Sequence, residues 1–257
     1  MVVFFDIDGT LVDDDTQIIP ASAVRAVEAL RDRGHIPVIN TGRPFDHIDP
    51  RVRAMAFSGW ICSCGMEVRL GDRMLYHAMP SPEACLGVRD AVRECRMQVL
   101  YETDDGGLLL DGENSPRDNV QIQRLTDIGV YLAEIGDRPR FQKFVTFDGE
   151  HGDRQTFLKR VEPWFTVVDR GRGMLEIMAK GCSKARGMER LLEDLGVPRE
   201  DTLAIGDSTN DLPMFRAAAH TVCMGNGMTE AKNAAEYITG SVLEDGIEEA
   251  LCHFGLI

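Results

Sequence analysis

The chain has no stretch of about 18 apolar residues, the least that a membrane-spanning helix needs. Its apolar start is cut short by Asp6, so a signal-like core is missing too. The cytoplasm is therefore the expected location, and a membrane is not an expected partner. There is no Cys-x-x-Cys, and the seven cysteines are an odd number. They cannot all pair, which points to small buried thiols in a reducing compartment. Positive charge is scarce: 28 Lys and Arg stand against 42 Asp and Glu, a net charge of −14. Such a surface repels phosphate backbones and excludes nucleic acid as the main partner. Fixed-period repeats, low-complexity tracts and coiled-coil patterns are missing as well, and a monomer is expected. What remains is a chain of 257 residues, 44% hydrophobic and 27% charged. That is the composition of a soluble globular protein with one large or two modest domains.

Residues 2–7 form a short apolar run ending in acids, the pattern of a buried parallel strand. Residues 22–33 place Val24, Val27, Ala29 and Leu30 at helical spacing, with Gly34 as a stop. A second buried strand is expected at 36–40. A helix broken by Pro50 should follow at 45–55, then strands at 60–63, 67–70 and 74–78. After Pro80-Ser81-Pro82 the character changes. A helix over 83–96 precedes strands at 97–102, 108–111 and 141–147, and 166–168 with 174–178 reads as a hairpin around Gly171-Arg172-Gly173. From Ser183 the alternation returns, with strands at 202–205, 221–224 and 237–239 between helices. The expected fold is α/β: a doubly wound parallel-sheet core from 1–80 plus 181–257, with an inserted α+β domain at 81–180.

Open α/β sheets bind ligands at the carboxyl ends of their strands. After the first strand stand Asp6 and Asp8, two acids on one side of an extended segment, with Gly9 allowing a sharp exit. Close acids repel unless a cation lies between them or one keeps its proton. Asp13-Asp14-Asp15 is an ordinary solvated run. After the second strand, the Thr41 hydroxyl beside the Gly42 amide is a small anion-binding element. After the strand at 202–205 come Gly206-Asp207 and Asn210-Asp211, side chains suited to a hard cation or to a helix cap. Ser183-Lys184 opens a helix, where a lysine is ordinarily solvated.

In this order, these residues resemble the haloacid dehalogenase (HAD) superfamily of phosphohydrolases. Asp6-x-Asp8-Gly-Thr-Leu-Val is similar to its first motif, Thr41 to its second, Lys184 to its third and Gly206-Asp207-x-x-Asn210-Asp211 to its fourth. Asn40-Thr-Gly-Arg43, Gly181-Cys-Ser-Lys184, Met224-Gly-Asn-Gly227 and the run from Lys232 to Thr239 resemble the Cof-type, subfamily IIB branch. That branch carries a large cap between the second and third motifs, where the α+β insert falls. Cys64 stands where the branch usually has Asn, and Ala185 where Gly is common. Neither replaces a catalytic group.

The resemblance implies a Mg²⁺-dependent phosphatase of small phosphorylated metabolites, sugar phosphates or related monoesters, acting through an aspartyl-phosphate. Asp6 is then the nucleophile and Asp8 the general acid and base. Asp6 and Asp207 ligate the metal by their side chains and Asp8 by its carbonyl. Lys184, Thr41, the Gly42 amide and Asn210 hold the phosphoryl group. Asp211 orients Lys184 or a metal-bound water. A phosphomutase of the same subfamily and a non-catalytic phosphometabolite-binding protein are the alternatives. In the insert, Arg138, Arg140 and Lys143 could reach a second anionic group, but a solvated loop is the ordinary expectation. Arg43 is expected in a structural ion pair, and Met174, Met178 and Met188 in packing. A hinge is expected near Pro80-Ser81-Pro82 and Lys180-Gly181.

Overall fold

The structure is a computed structural model that describes residues 1–116, 119–148, 151–171 and 173–257. In chain order the first elements are β1 (Val2–Phe5), α1 (Ala21–Asp32), β2 (Ile36–Asn40), α2 (Pro50–Arg53), β3 (Gly59–Cys62), β4 (Glu67–Leu70) and β5 (Arg73–His77). Next come α3 (Pro82–Glu94), β6 (Gln98–Glu102), β7 (Gly107–Leu110), α4 (Val120–Asp127), β8 (Tyr131–Glu134), β9 (Lys143–Phe147), α5 (Arg154–Val161), β10 (Phe165–Gly171) and β11 (Met174–Ala179). Last are α6 (Lys184–Leu195), β12 (Thr202–Gly206), α7 (Leu212–Ala217), β13 (His220–Cys223), α8 (Thr229–Ala234), β14 (Tyr237–Ile238) and α9 (Gly246–His253).

These elements group into two compact units. One comprises Met1–Gly42, Arg51–His77 and Ser183–Ile257; the other comprises Arg43–Pro50 and Ala78–Cys182. The second is wider than the 81–180 expected from sequence. It takes in the short segment after Gly42, which includes a 3-10 turn at Phe45–His47. The chain therefore crosses between units at four places, not two.

The first unit is built on a sheet ordered β14-β13-β12-β1-β2-β3-β4-β5. Pairing is parallel from β14 to β3, whereas β3, β4 and β5 run antiparallel. The doubly wound expectation therefore holds for the strands that carry the motifs, and the far edge is a meander. All four residues of β1 are buried, as a central strand covered on both faces requires. Val2, Phe4, Val38, Ile61, Ala204, Met188, Leu191 and Phe215 share one apolar cluster. Helix α1 buries Ala23, Ala26, Val27 and Leu30, the spacing of a single helical face.

The second unit has a sheet ordered β10-β11-β9-β6-β7-β8. Alternation sorts its side chains between two cores. Val99, Tyr101, Phe144, Leu175 and Ile177 pack with α3 and α5. Leu100, Leu108, Leu110 and Val145 pack with Ile122 and Leu125 of α4. Edge strand β8 was not foreseen, because Tyr131 to Glu134 are mostly exposed. The hairpin expected at 166–178 is present as β10 and β11, although Arg172 in its turn lies outside the described residues. All seven cysteines are free thiols, six of them buried. Among the described residues no helix is long and apolar enough to cross a membrane.

Candidate active site

Asp6 leaves β1 with its N–H still bonded to the Ile205 carbonyl of β12 at 3.0 Å. Its side chain is thereby fixed at the carboxyl end of the sheet. The following loop is tight: the N–H groups of Thr10, Leu11 and Val12 all donate to the Ile7 carbonyl. Asp8, half-buried, pairs with Val12 as an isolated bridge. Gly9 has φ +70, and a Cβ there would lie 2.5 Å from Asp207 Oδ2. Only glycine lets the two loops approach this closely. Thr10 Oγ1 donates to Asp207 Oδ1 at 3.3 Å.

Lys184 is the first residue of α6, whose N-cap Ser183 accepts from the Arg186 N–H at 3.1 Å. The solvated surface position ordinary for lysine is not what this side chain adopts. It is only 2% exposed, with its Nζ 2.8 Å from Asp6 Oδ1 and 2.6 Å from Asp211 Oδ1. The second oxygen of Asp211 accepts from the N–H groups of Asp207 and Ser208 at 2.9 and 3.0 Å. With both oxygens engaged, Asp211 anchors the lysine and shapes the loop after β12. A Cβ at Gly206 would come within 2.5 Å of that carboxyl group.

Asp6, Asp207 and Asp211, all buried, each bring an oxygen within 4.8 Å of the others. Burial drives the Asp6 pKa up to about 7, helped by the charges of Asp211 and Asp8 against the opposing pull of Lys184. Asp207 is pushed up to about 8 by burial and then by Asp6 and Asp211. Burial alone would lower the Lys184 pKa, but Asp211 and Asp6 outweigh it and hold the ammonium charged. Three acids and one cation out of water leave uncompensated negative charge. An all-oxygen donor set with that excess suits a hard divalent cation.

Thr41 is buried just past β2, its N–H on the Ile61 carbonyl at 2.8 Å and its carbonyl accepting from Cys64 at 3.1 Å; Gly42 follows it, half-buried. Asn210 is half-buried, and its Oδ1 accepts from Ser208 Oγ at 2.6 Å. Side-chain geometry thus brings together Asp6, Asp207, Asp211 and Lys184, and the backbone sets Asp8 and Thr41 past the ends of β1 and β2. Asp13 closes a turn by accepting from Thr16 N and Oγ1 at 2.8 and 2.6 Å. Two asparagines brace the loops that carry these residues. Asn226 donates to the Gly9 carbonyl at 2.7 Å and accepts from the Val242 N–H at 3.0 Å. Asn40 donates to the Lys184 carbonyl at 3.3 Å. An amide flanked by glycines, and a fully buried amide ending a strand, were the available signals.

In the second unit the basic trio does not lie in one solvated loop. Arg138 is exposed. Arg140 pairs with both oxygens of Asp104 at 2.8 Å. Lys143 belongs to β9 and is 2% exposed, with its Nζ 2.5 Å from Glu176 and 3.1 Å from Glu102. Arg43 Nη1 donates to the His47 carbonyl at 3.2 Å. Met178 and Met188 are buried, and Met174 packs beside the α4 core.

The family model described as haloacid dehalogenase-like hydrolase matches residues 3–251. A Bacillus subtilis protein named 5-amino-6-(5-phospho-D-ribitylamino)uracil phosphatase is 27% identical, over 99% of this chain and 96% of its own. The HMP-PP phosphatase of Serratia proteamaculans is 23% identical, over 97% of this chain and 92% of its own. Among solved structures, one described as a HAD subclass IIB sugar phosphatase matches with a TM-score of 0.84 and 26% identity, over 100% of this chain and 99% of that one.

Proposed function

This chain belongs to the haloacid dehalogenase-like hydrolase family, and from that premise we propose that it is a Mg²⁺-dependent phosphatase of small phosphorylated metabolites working through an aspartyl-phosphate. The observation that carries this reading is the Lys184 ammonium held between Asp6 and Asp211, within the buried group of three carboxylates. It supplies a carboxylate nucleophile, a fixed positive charge and an oxygen-rich place for a cation.

In this reading Asp6 attacks phosphorus in line with the departing alcohol, and its oxygen becomes the bridging oxygen of the aspartyl-phosphate. Asp8 gives its proton to the leaving oxygen, then takes one from the water that cleaves the intermediate. Lys184 keeps positive charge beside Asp6 and the phosphoryl group throughout. Thr41, the Gly42 amide and Asn210 hold the phosphoryl oxygens as charge builds on them. Asp211 holds Lys184 in place. Asp6 and Asp207 by their side chains, and Asp8 by its carbonyl, would hold Mg²⁺, which neutralises the repulsion between carboxylate and phosphate dianion.

The second unit, Arg43–Pro50 with Ala78–Cys182, acts as the cap that chooses the leaving group, moving about its chain crossings. Sugar phosphates and related monoesters are the substrate class, in keeping with the names of the relatives. The protein works as a cytoplasmic monomer with neither nucleic acid nor membrane as partner, in keeping with its net charge of −14. The test is hydrolysis of p-nitrophenyl phosphate by the purified chain. Activity should vanish in excess chelator and return with Mg²⁺, and Asp207→Ala should raise the Mg²⁺ concentration required. Full activity in chelator would remove the metal from the scheme.

A further inference from the structure

The chain leaves β3 through a turn that hairpin closure alone does not demand. β3 and β4 pair antiparallel up to Cys62 and Glu67, so the four residues 63–66 form the connection. Connections of that length are mostly built on turns with negative φ. Here Ser63, Cys64 and Gly65 are left-handed in succession, with φ of +48, +55 and +79. The first two carry a Cβ, for which this conformation is unfavourable. Strain of this kind persists where the surroundings over-determine it, and it gathers at functional sites.

The neighbours of the turn, all within the first compact unit, account for it. The Cys64 N–H donates to the Thr41 carbonyl at 3.1 Å, and the Thr41 N–H donates to the Ile61 carbonyl of β3 at 2.8 Å. β3 and its turn thus hold both backbone groups of Thr41. On its other side the turn presses on the start of α6. A Cβ on Gly65 would lie 2.2 Å from the Ser183 carbonyl oxygen and 3.1 Å from the Gly187 nitrogen. That carbonyl opens the helix by accepting from the Gly187 N–H at 3.0 Å. The helix presents a glycine in return: a Cβ on Gly187 would lie 3.2 Å from Gly65 Cα and 2.3 Å from Ile61 Cγ2. Glycine in a helix interior is destabilising, so both partners of this backbone contact depart from what their own element prefers. One turn further along the helix, Arg190 Nη1 donates to the Gly65 carbonyl at 3.3 Å. Its guanidinium lies 3.7 Å from the centre of the Tyr76 ring.

We infer that the Ser63–Gly65 turn is a positioning element: it fixes the spacing between Thr41 and the first turn of α6, and hence between Thr41 and Lys184. The inference rests on the phosphatase reading above, in which these two residues hold the phosphoryl group, and names what sets their separation. Gly65 is the positioning residue within the turn, and Arg190 holds it from the helix side. Thr41 and Lys184 are 143 residues apart in the chain, so their spacing needs a local gauge. A second tie comes from Asn40, whose side chain donates to the Lys184 carbonyl at 3.3 Å. With the Ser183 carbonyl against Gly65 and the Lys184 carbonyl on Asn40, the helix start cannot slide without disturbing one of them. Phosphoryl transfer depends on positioning and electrostatic stabilisation, so a displacement of about 1 Å is costly.

The test uses the full-length chain with Mg²⁺, p-nitrophenyl phosphate as substrate, and orthovanadate and inorganic phosphate as inhibitors. Gly65→Ala sets a methyl group against the Ser183 backbone and must move the helix start. Its kcat/KM should fall about a hundredfold. Its vanadate inhibition constant should rise about tenfold or more, and further than that of inorganic phosphate, since vanadate adopts the five-coordinate geometry of the transition state. Arg190→Met removes the bond to the Gly65 carbonyl and should move both quantities the same way by about threefold to tenfold. A merely structural role lowers the folded fraction, and so the amount of active enzyme, but leaves the inhibition constants alone. Val27→Ala, a truncation in the buried face of α1, is the control for that outcome and should change neither constant by more than about twofold. If Gly65→Ala does not melt cooperatively, Arg190→Met carries the test. Unchanged vanadate inhibition in the folded variants, or an equal shift in Val27→Ala, overturns the inference. Hydrolysis of the aryl ester by the unmodified protein in that case leaves the phosphatase reading standing. No hydrolysis of any ester brings down both.

Discussion

The Lys184 ammonium lies closer to Asp211, at 2.6 Å, than to Asp6, at 2.8 Å. Asp211 is thus the anchor, and Asp6 shares the cation with it. In the proposed reaction the same ammonium would hold Asp6 Oδ1 while Asp6 attacks.

Removing the anchor should therefore cost both stability and rate. Asp211→Ala breaks the bond to Lys184 and frees the N–H groups of Asp207 and Ser208. Breaking a buried charge pair costs about 3–5 kcal/mol. Urea denaturation should show a loss of that order, and aryl phosphate turnover should fall about a hundredfold or more. A variant as stable as the parent would contradict the anchoring role.

The metal-free protein should lose stability as pH rises. Asp6 and Asp207 titrate near 3.8 when unfolded, and near 7 and 8 when folded. Between these values the folded state holds more protons than the unfolded chain, so stability is fullest below about pH 4 for these two groups and declines up to about pH 8. With chelator present, the melting temperature should drop about 5 °C or more between pH 5 and 8. Saturating Mg²⁺ should flatten that slope, since a bound cation takes the place of the protons. Equal slopes with and without metal would argue that these acids do not bind it.

The two aspartates of the first loop should separate by leaving group. Asp6→Asn should abolish hydrolysis and give no phosphoenzyme. Asp8→Asn keeps the backbone of the loop and removes the titrating proton. Alkyl esters, whose alkoxide needs that proton, should suffer more than an activated aryl ester in the phosphorylation step. Rapid-quench labelling reads both; a trapped phosphoenzyme on Asp6→Asn would reverse the assignment.

In the second unit, two cations near each other in sequence should behave differently. Lys143→Met removes the buried ammonium that Glu102 and Glu176 share, at a cost of about 3–5 kcal/mol. Arg140→Ala removes an exposed partner of Asp104 and should cost about 1 kcal/mol or less. Denaturation midpoints of the two variants make the comparison.

That contrast also marks the limit of sequence reading. The placement of Asp6 and Asp207 at strand ends was legible because each follows an apolar run, whereas Lys184 was singled out by the family resemblance, since a capped helix start ordinarily leaves a lysine solvated. The burial of Lys143 was not legible, because it depends on carboxylates 41 residues before and 33 residues after it. The burial of His47 likewise depends on a 3-10 turn joining a unit whose main body begins at Ala78. Nothing in the local composition of 43–50 announces that allegiance. Strand β8 was missed for a related reason: an exposed edge strand has little hydrophobic alternation to read.

The pairing of β1 with β12, Val2 against Thr202, has a consequence for biosynthesis. At about 5–20 residues per second, β1 leaves the ribosome roughly 10–40 s before its neighbour on that side exists. During the wait, the sheet of the second unit is made entire, since β6 to β11 all precede β12 in the chain. The intervening unit can then be finished while the first unit is still an open sheet with an unpaired, wholly apolar edge. That exposed β1 flank is the surface a nascent-chain chaperone would meet, and translation pauses before Thr202 would lengthen its exposure.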